Sequence, residues 1–518
     1  MPTGIVFGGG GTLGDFQAGA LKYLDKKRIL SDIACVCGTS IGAINAAIVA
    51  TGDGCAGKLE KYWVTDVNSR DDLIPQHEWS ESIAPVLNAV VDGAAGSWVG
   101  AAARFICASR EEALAIVYSG MRDLTKMFAD VRNARALYSA ENLAEKMRDD
   151  AQDVEAALTS KIALRMYATN LRTGEQTCFY NTLCDADLDT ANKRQRVSIL
   201  CESKEKLIKA ALASAAVPAI FPPVEVDGEW YVDGSLREVV PVQGAIDCGA
   251  DDIYALLCFP RLTQTGRDRI VDSQSEDWST SSLFDIRTDD FGTSERDWSS
   301  GGGLDVIDVA NRSAAIVLDE ITSGDLKGTR RGNERPKLTV IAPLIPVHGM
   351  AELDLGLLKI NADQGYMRAF DEIDAPDEQR DRCRQLSGEI TSRRVAIWRN
   401  EHKLIRQWAE AEEPPSEGFF SLHRFHVRSI LPDWLEALRV NTEILLTIRR
   451  KKRDLKPFVL ERLKIAGSSS ALPDQYEAMW LKWEHDPKYE RVPLPPSPWG
   501  LLDLGRKGTE VIPDTTPP

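Results

Sequence analysis

The chain is short of histidine. Only His77, His348, His402, His423, His426 and His485 are present among 518 residues, so a Ser-His-Asp triad has little to draw on. His348, just after the apolar run KLTVIAPLIPV, is the one histidine near a strand-like end, and it reads as a loop or packing histidine sooner than as a base. Long apolar runs are missing too: no stretch reaches the roughly 18 uninterrupted apolar residues of a spanning helix. The ten cysteines are scattered, with only Cys35 and Cys37 close together and no CxxC pair. That usage excludes a disulfide scaffold and a zinc site and fits a reducing compartment. The opening MPTGIVFGGGG lacks a basic leader and cleavage site, so a cytoplasmic location is expected. Excess positive charge is also missing, and a net charge of −16 argues against nucleic-acid binding.

What is present is the composition of a folded protein, 43% hydrophobic and 27% charged. The length suggests more than one unit. Charge is uneven, with −19 on residues 1–380 and +3 on residues 381–518. Beyond about residue 380 the composition shifts to long charged helices holding six of the twelve tryptophans, and the end from Pro493 is a Pro-rich tail. The expected division is therefore 1–380 and a helical 381–518. Within the latter, TIRRKKRDLK (Thr447 to Lys456) reads as a solvated helix face, or as a surface for anionic lipid headgroups.

The first fifty residues alternate element types. GIVFG (Gly4 to Gly8) is a short apolar strand, and DFQAGALKYLDKK carries Phe16, Ala20, Leu21 and Leu24 at helical spacing. IACVC (Ile33 to Cys37) is a second strand, and IGAINAAIVATG a small-residue helix ended by Gly52. Strand, turn and helix in series predict a parallel sheet with covering helices. Residues 68–157 read as a helical insertion, within which Pro85 to Ala108 is either a pair of buried helices or an interfacial lid. Strand signals return at Lys161 to Leu171, Thr177 to Asn181, Glu229 to Gly234, Asp252 to Phe259 and Lys337 to Leu344, and KLIKAALASAAVP reads as a helix stopped by Pro218. Arg261 to Gly303 is a long polar loop.

Two glycine turns carry the chemistry. Gly8 to Gly14 lies between a strand and a helix, where free amides face incoming negative charge. It also fits GxGxxG, but a dinucleotide site wants a carboxylate at the end of the second strand, and here Val36 and Cys37 lead into Gly38. The second turn, Gly38-Thr39-Ser40-Ile41-Gly42, has the form of a nucleophile elbow, with Ser40 at a strand-to-helix turn. The first turn is then placed to hold an oxyanion for an acyl group attacked by Ser40. Either turn alone reads sooner as a plain strand-to-helix joint; the two together weigh about evenly. Asp233 ends the strand EWYV before Gly234, the edge where open α/β sheets gather ligands, or it is an ordinary turn aspartate.

Taken together, GGGGTLGDFQAGAL, GTSIGAINAA and ASAAVPAIFPPVEVDGEWYVDGSLREVVPV resemble the patatin-like phospholipase family. The resemblance implies an α/β three-layer fold with a mainly parallel central sheet over residues 1–380, plus the helical C-terminal region. It implies a serine lipid acyl hydrolase of phospholipase A type that uses a dyad and no cofactor or metal. Ser40 would be the nucleophile, Asp233 its base, and the amides of Gly9, Gly10 and Gly11 the oxyanion hole. Gly14, Gly38, Gly42 and Gly234 would be the motif glycines. The substrate would be phospholipid or another acyl ester met at a membrane surface. Two positions depart from the family pattern: Leu13 stands where Lys or Arg is frequent, and Ser235 where Gly or Ala is usual. Other readings are a nucleotide-binding protein or oxidoreductase using Gly9 to Gly14, and a signal-activated membrane-degrading effector with the same hydrolytic chemistry.

Overall fold

The computed structural model describes residues 2–52, 54–63, 151–182, 197–218, 221–260, 317, 320–326, 336–349 and 354–412, and most of 446–474. The candidate lid at 85–108, nearly all of the insertion, the loop 261–303 and the tail from 493 lie outside them.

Two strand-turn-helix units open the chain. β1 (Thr3–Phe7) leads through the glycine turn into α1 (Gly14–Lys26), and β2 (Ile33–Thr39) into α2 (Ile41–Val49). After α3 (Cys55–Lys61) come α4 (Ala151–Thr159), β3 (Ala163–Asn170), β4 (Gln176–Tyr180), β5 (Val197–Leu200) and α5 (Lys204–Ser214). β6 (Val224–Val226) and β7 (Glu229–Asp233) form a hairpin, followed by α6 (Val242–Asp247), β8 (Asp252–Leu256) and β9 (Lys337–Ile341). Two long helices, α7 (Leu355–Ile373) and α8 (Arg380–Glu412), close the described core.

Strand order is β5-β4-β3-β2-β1-β8-β9. Neighbours from β3 through β9 are parallel, as are β4 and β5; β3 runs antiparallel to β4 and to β7. Alternation along each strand sends side chains to two cores. Ile5, Phe7, Val36, Leu164, Met166 and Leu256 pack on one face with side chains of α1, α2, α5 and α7. Val6, Cys35, Cys37, Tyr167, Ile253 and Ala255 pack on the other with α6. A sheet covered on both faces needs apolar residues at successive positions, which is why GIVFG and IACVC read as continuous runs.

α7 lies close against α1. A side chain at Gly19 would strike the Ala362 carbonyl, and one at Gly365 the Phe16 carbonyl, so the two backbones touch. Asp354 caps α7, accepting from Gly356 N at 2.8 Å and Leu357 N at 3.0 Å, and it also accepts from Trp398 Nε1 of α8 at 2.8 Å. The described part of the C-terminal region is helical and joins this core through Arg462. Its buried guanidinium donates to Ala471 O (2.8 Å), Cys383 O (2.9 Å), Ser387 Oγ (2.8 Å) and Met367 O (3.0 Å), and pairs with Asp371 Oδ1 at 2.8 Å. In the basic segment from Thr447, Ile448 and Leu455 are buried while Arg450 and Arg453 are exposed.

One helix end differs from the expected one. α5 stops at Ser214, not at Pro218. The helix end is used elsewhere: its last residue, Ser214, donates through Oγ to Tyr167 O at 2.5 Å, and beyond it Ala216 O accepts the amide of Asp233 at 2.9 Å.

Candidate active site

Register places Ser40 beside Asp233. Along β3, Tyr167 pairs with Thr39 and the next residue, Ala168, pairs with Asp233. The opposite edge of β3 is taken by β4 over these same residues, so β7 prolongs the line of β2 in the reverse direction. The two strand ends meet head to head. Ser40, one residue past Thr39, donates its hydroxyl to Asp233 Oδ2 at 2.5 Å across 193 residues of sequence.

Ser40 sits at φ 57°, ψ −131°, a conformation that costs a non-glycine residue about 1–3 kcal/mol. Packing holds it there. A side chain at Gly38 would meet the Gly42 carbonyl, and one at Gly42 the Phe7 carbonyl, so β2, α2 and the end of β1 touch backbone to backbone. The Ser40 amide donates to Ser214 Oγ at 2.9 Å. α2 begins at the next residue, Ile41, and its amino terminus favours negative charge at the hydroxyl.

Asp233 is buried. Its Oδ1 accepts the Ser235 amide at 2.7 Å, and its carbonyl accepts Thr169 Oγ1 at 3.0 Å. Burial pushes its pKa from 3.8 up to about 6, while the Ser40 hydroxyl and the Ser235 amide and hydroxyl pull the other way by favouring the charged form. Gly234 follows, with the Tyr167 carbonyl where a Cβ would stand.

The first turn is held from both sides. Gly8 N donates to Leu256 O at 2.9 Å and Gly9 N to Val239 O at 3.0 Å. This corrects one expectation: the Gly9 amide is engaged and does not face an oxyanion. Gly9 instead provides space, since Ser235 Oγ and Ser40 Cβ crowd the position its own Cβ would take. Among the described residues the amides of Gly10 and Gly11 have no partner, and Gly11 has φ 59°. Gly14 opens α1 against Trp63 and Asn45.

Polar residues that the sequence reading did not single out brace this turn. Trp63 Nε1 donates to Asn45 Oδ1 (3.0 Å), Asn45 Nδ2 to Gln17 Oε1 (2.7 Å), and Gln17 Nε2 to Gly8 O (2.8 Å) and Leu256 O (2.9 Å). Their one sequence signal is polarity on the buried side of apolar helices. His348 bonds through Nε2 to Asp15 Oδ2 at 2.9 Å and through Nδ1 to Gly349 O at 3.0 Å. Both ring nitrogens thus have partners other than Ser40, which is bonded to Asp233. No cluster of metal-ligating side chains occurs among the described residues.

Residues 5–246 match the family described as Patatin-like phospholipase. No curated protein matches the chain. Among solved structures, the crystal structure of VipD from Legionella pneumophila is similar at 13% identity and a TM-score of 0.28, over 93% of this chain and 87% of that one; so low a TM-score carries no argument.

Proposed function

From the premise that this chain belongs, through residues 5–246, to the patatin-like phospholipase family and is a lipid acyl hydrolase, we propose a phospholipase A type activity run by Ser40 and Asp233. The observation that carries it is the 2.5 Å hydrogen bond from the Ser40 hydroxyl to Asp233 Oδ2 at a strained strand-to-helix turn.

The reaction is a two-step acyl transfer. Ser40 Oγ attacks the ester carbonyl as its proton passes to Asp233 Oδ2. The carbonyl oxygen takes the negative charge and is held by the amides of Gly10 and Gly11. Collapse of the adduct breaks the ester bond, and Asp233 returns the proton to the leaving lysolipid oxygen. Water then attacks acyl-Ser40, giving its proton to Asp233, and fatty acid leaves with Ser40 restored. An Asp233 pKa of about 6 keeps the base ionised at neutral pH and brings its basicity close to the operating range.

In this reading residues 1–380 carry the chemistry and 381–518 support it. The enzyme is cytoplasmic and meets its lipid at a membrane surface; no described helix is long and apolar enough to cross a membrane.

The test is lipid mass spectrometry on mixed phospholipid vesicles incubated with wild type, Ser40→Ala and Asp233→Asn. Each variant is expected to lose fatty-acid release by about 10³-fold or more, the scale seen when a nucleophile or its partner is removed. Release at the wild-type rate from either variant rejects that residue's role.

A further inference from the structure

We infer that His348 is a positioning residue for the glycine turn: as a buried cation bridging Gly349 and Asp15, it fixes the turn and cancels the carboxylate charge behind it.

The protonation follows from the partners. Gly349 O is a carbonyl and only accepts, so Nδ1, 3.0 Å away, carries a hydrogen. Asp15 Oδ2 faces Nε2 at 2.9 Å, and Asp15 Oδ1 accepts from Phe16 N and from Asn361 Nδ2, each at 2.8 Å. Asn361 Nδ2 stands 3.5 Å from Nε2 but donates to Asp15 Oδ1 at 2.8 Å, so the 2.9 Å contact is assigned to an Nε2 hydrogen donated to the carboxylate. The ring is an imidazolium, and both side chains of the pair are fully buried.

Its position gives it a task. Gly349 O also accepts Thr12 Oγ1 at 3.1 Å. Thr12 lies in the 3-10 turn Gly11–Leu13, and Asp15 in the first turn of α1. His348 and Gly349 thus grip both sides of the joint where the open amides of Gly10 and Gly11 lead into the helix.

Charge matters equally. Asp15 lies within electrostatic reach of Cys258, whose thiol is pushed upward by burial and then by that carboxylate. Cys258 in turn fills the place a side chain would take at Gly10. An uncompensated carboxylate there would oppose negative charge developing on the same amides. Among the described residues, Asn361 from α7 lies against both members of the pair and Cys258 after β8 lies within reach of Asp15, and His348 supplies the positive charge.

The inference rests on the proposed hydrolysis in one respect, that an oxyanion forms at Gly10 and Gly11. Its test is charge rescue in the full chain with a soluble p-nitrophenyl ester. His348→Gln leaves Asp15 bare and is expected to lower kcat by about 10- to 100-fold with KM changed by less than about twofold. Adding Asp15→Asn to His348→Gln removes the bare charge and is expected to recover about tenfold or more of that loss. A double variant no faster than His348→Gln overturns the inference, because a merely structural pair would give further loss. Imidazole nitrogen NMR reads the same pair without any turnover. The His348 signals, assigned by their absence in His348→Gln, should show two protonated nitrogens at neutral pH in wild type and one in Asp15→Asn. A singly protonated ring in wild type overturns the inference even if the chain cleaves no ester, a result that would reject the hydrolytic reading separately.

Discussion

Asp233→Asn should stabilise the fold at neutral pH while removing the proposed base. The Asp233 pKa is raised from 3.8 to about 6, chiefly by burial. A group whose pKa is higher when folded holds its proton more tightly in the native state. Its contribution to stability is therefore fully present below pH 3.8 and is lost as pH rises through about 6. A shift of about two units corresponds to about 3 kcal/mol of native-state cost once the carboxylate is ionised. Asparagine keeps the shape, its carbonyl still accepts the Ser235 amide, and its NH₂ meets Ser40 Oγ as a donor. The variant is thus expected to exceed wild type by about 3 kcal/mol near neutral pH and by about 0.5 kcal/mol near pH 4. Calorimetric unfolding at the two pH values measures the gap, at about 1 °C per kcal/mol for a domain of roughly 380 residues. An offset independent of pH, or a variant less stable than wild type at neutral pH, refutes the assignment of burial as the cause.

Three further predictions concern the base and the C-terminal helices. For wild type, kcat/KM on a soluble ester should fall about tenfold per pH unit below about 6 as Asp233 is protonated. Ser235→Ala should move that limb to higher pH, because the lost hydroxyl favours the carboxylate; an unmoved limb shows that the Ser235 hydroxyl has no hold on the base. Arg462→Met should cost about 1–3 kcal/mol in urea unfolding, since three backbone carbonyls lose a buried donor while Asp371 keeps Arg368 Nη1 and Ser387 Oγ. A loss below about 1 kcal/mol would show that packing at Phe370 and Cys383, not the ion pair, anchors the segment.

Most strands and both glycine turns were legible because their signals are local, whereas the short β5 and β6 were not read. A short apolar run, glycines and then a helical period suffice to place β1, α1, β2 and α2. The encounter of Ser40 with Asp233 is not local. It depends on β7 extending the line of β2 along β3, a register that no spacing in the sequence encodes. The Gly9 amide was misread for the same reason, since its acceptor, Val239 O, is brought to the turn by the chain's return after β7. Asp15 looked like an ordinary acidic residue in a first helical turn, and its partners His348 and Asn361 lie 333 and 346 residues away. Arg462 looked like one more cation in a charged helix, and only its burial against α7 and α8 distinguishes it.

The scarcity of histidine and the properties of Asp233 have one physical explanation. A general base works best with a pKa near the operating pH, a range histidine occupies without help, at about 6.5. Aspartate reaches it only if water is removed, because burial disfavours its charge. In this fold the head-to-head meeting of β2 and β7 buries the carboxylate and places it against the Ser40 hydroxyl in a single step. The resulting value, about 6, is that of an ordinary imidazole. A histidine at this position would then add nothing to basicity. Under the inference above, His348 serves the opposite purpose, a cation beside Asp15 where positive charge would favour the proposed oxyanion. On the proposed mechanism, burial exchanges the usual assignments: the carboxylate takes the role of the imidazole, and the imidazole that of a fixed charge.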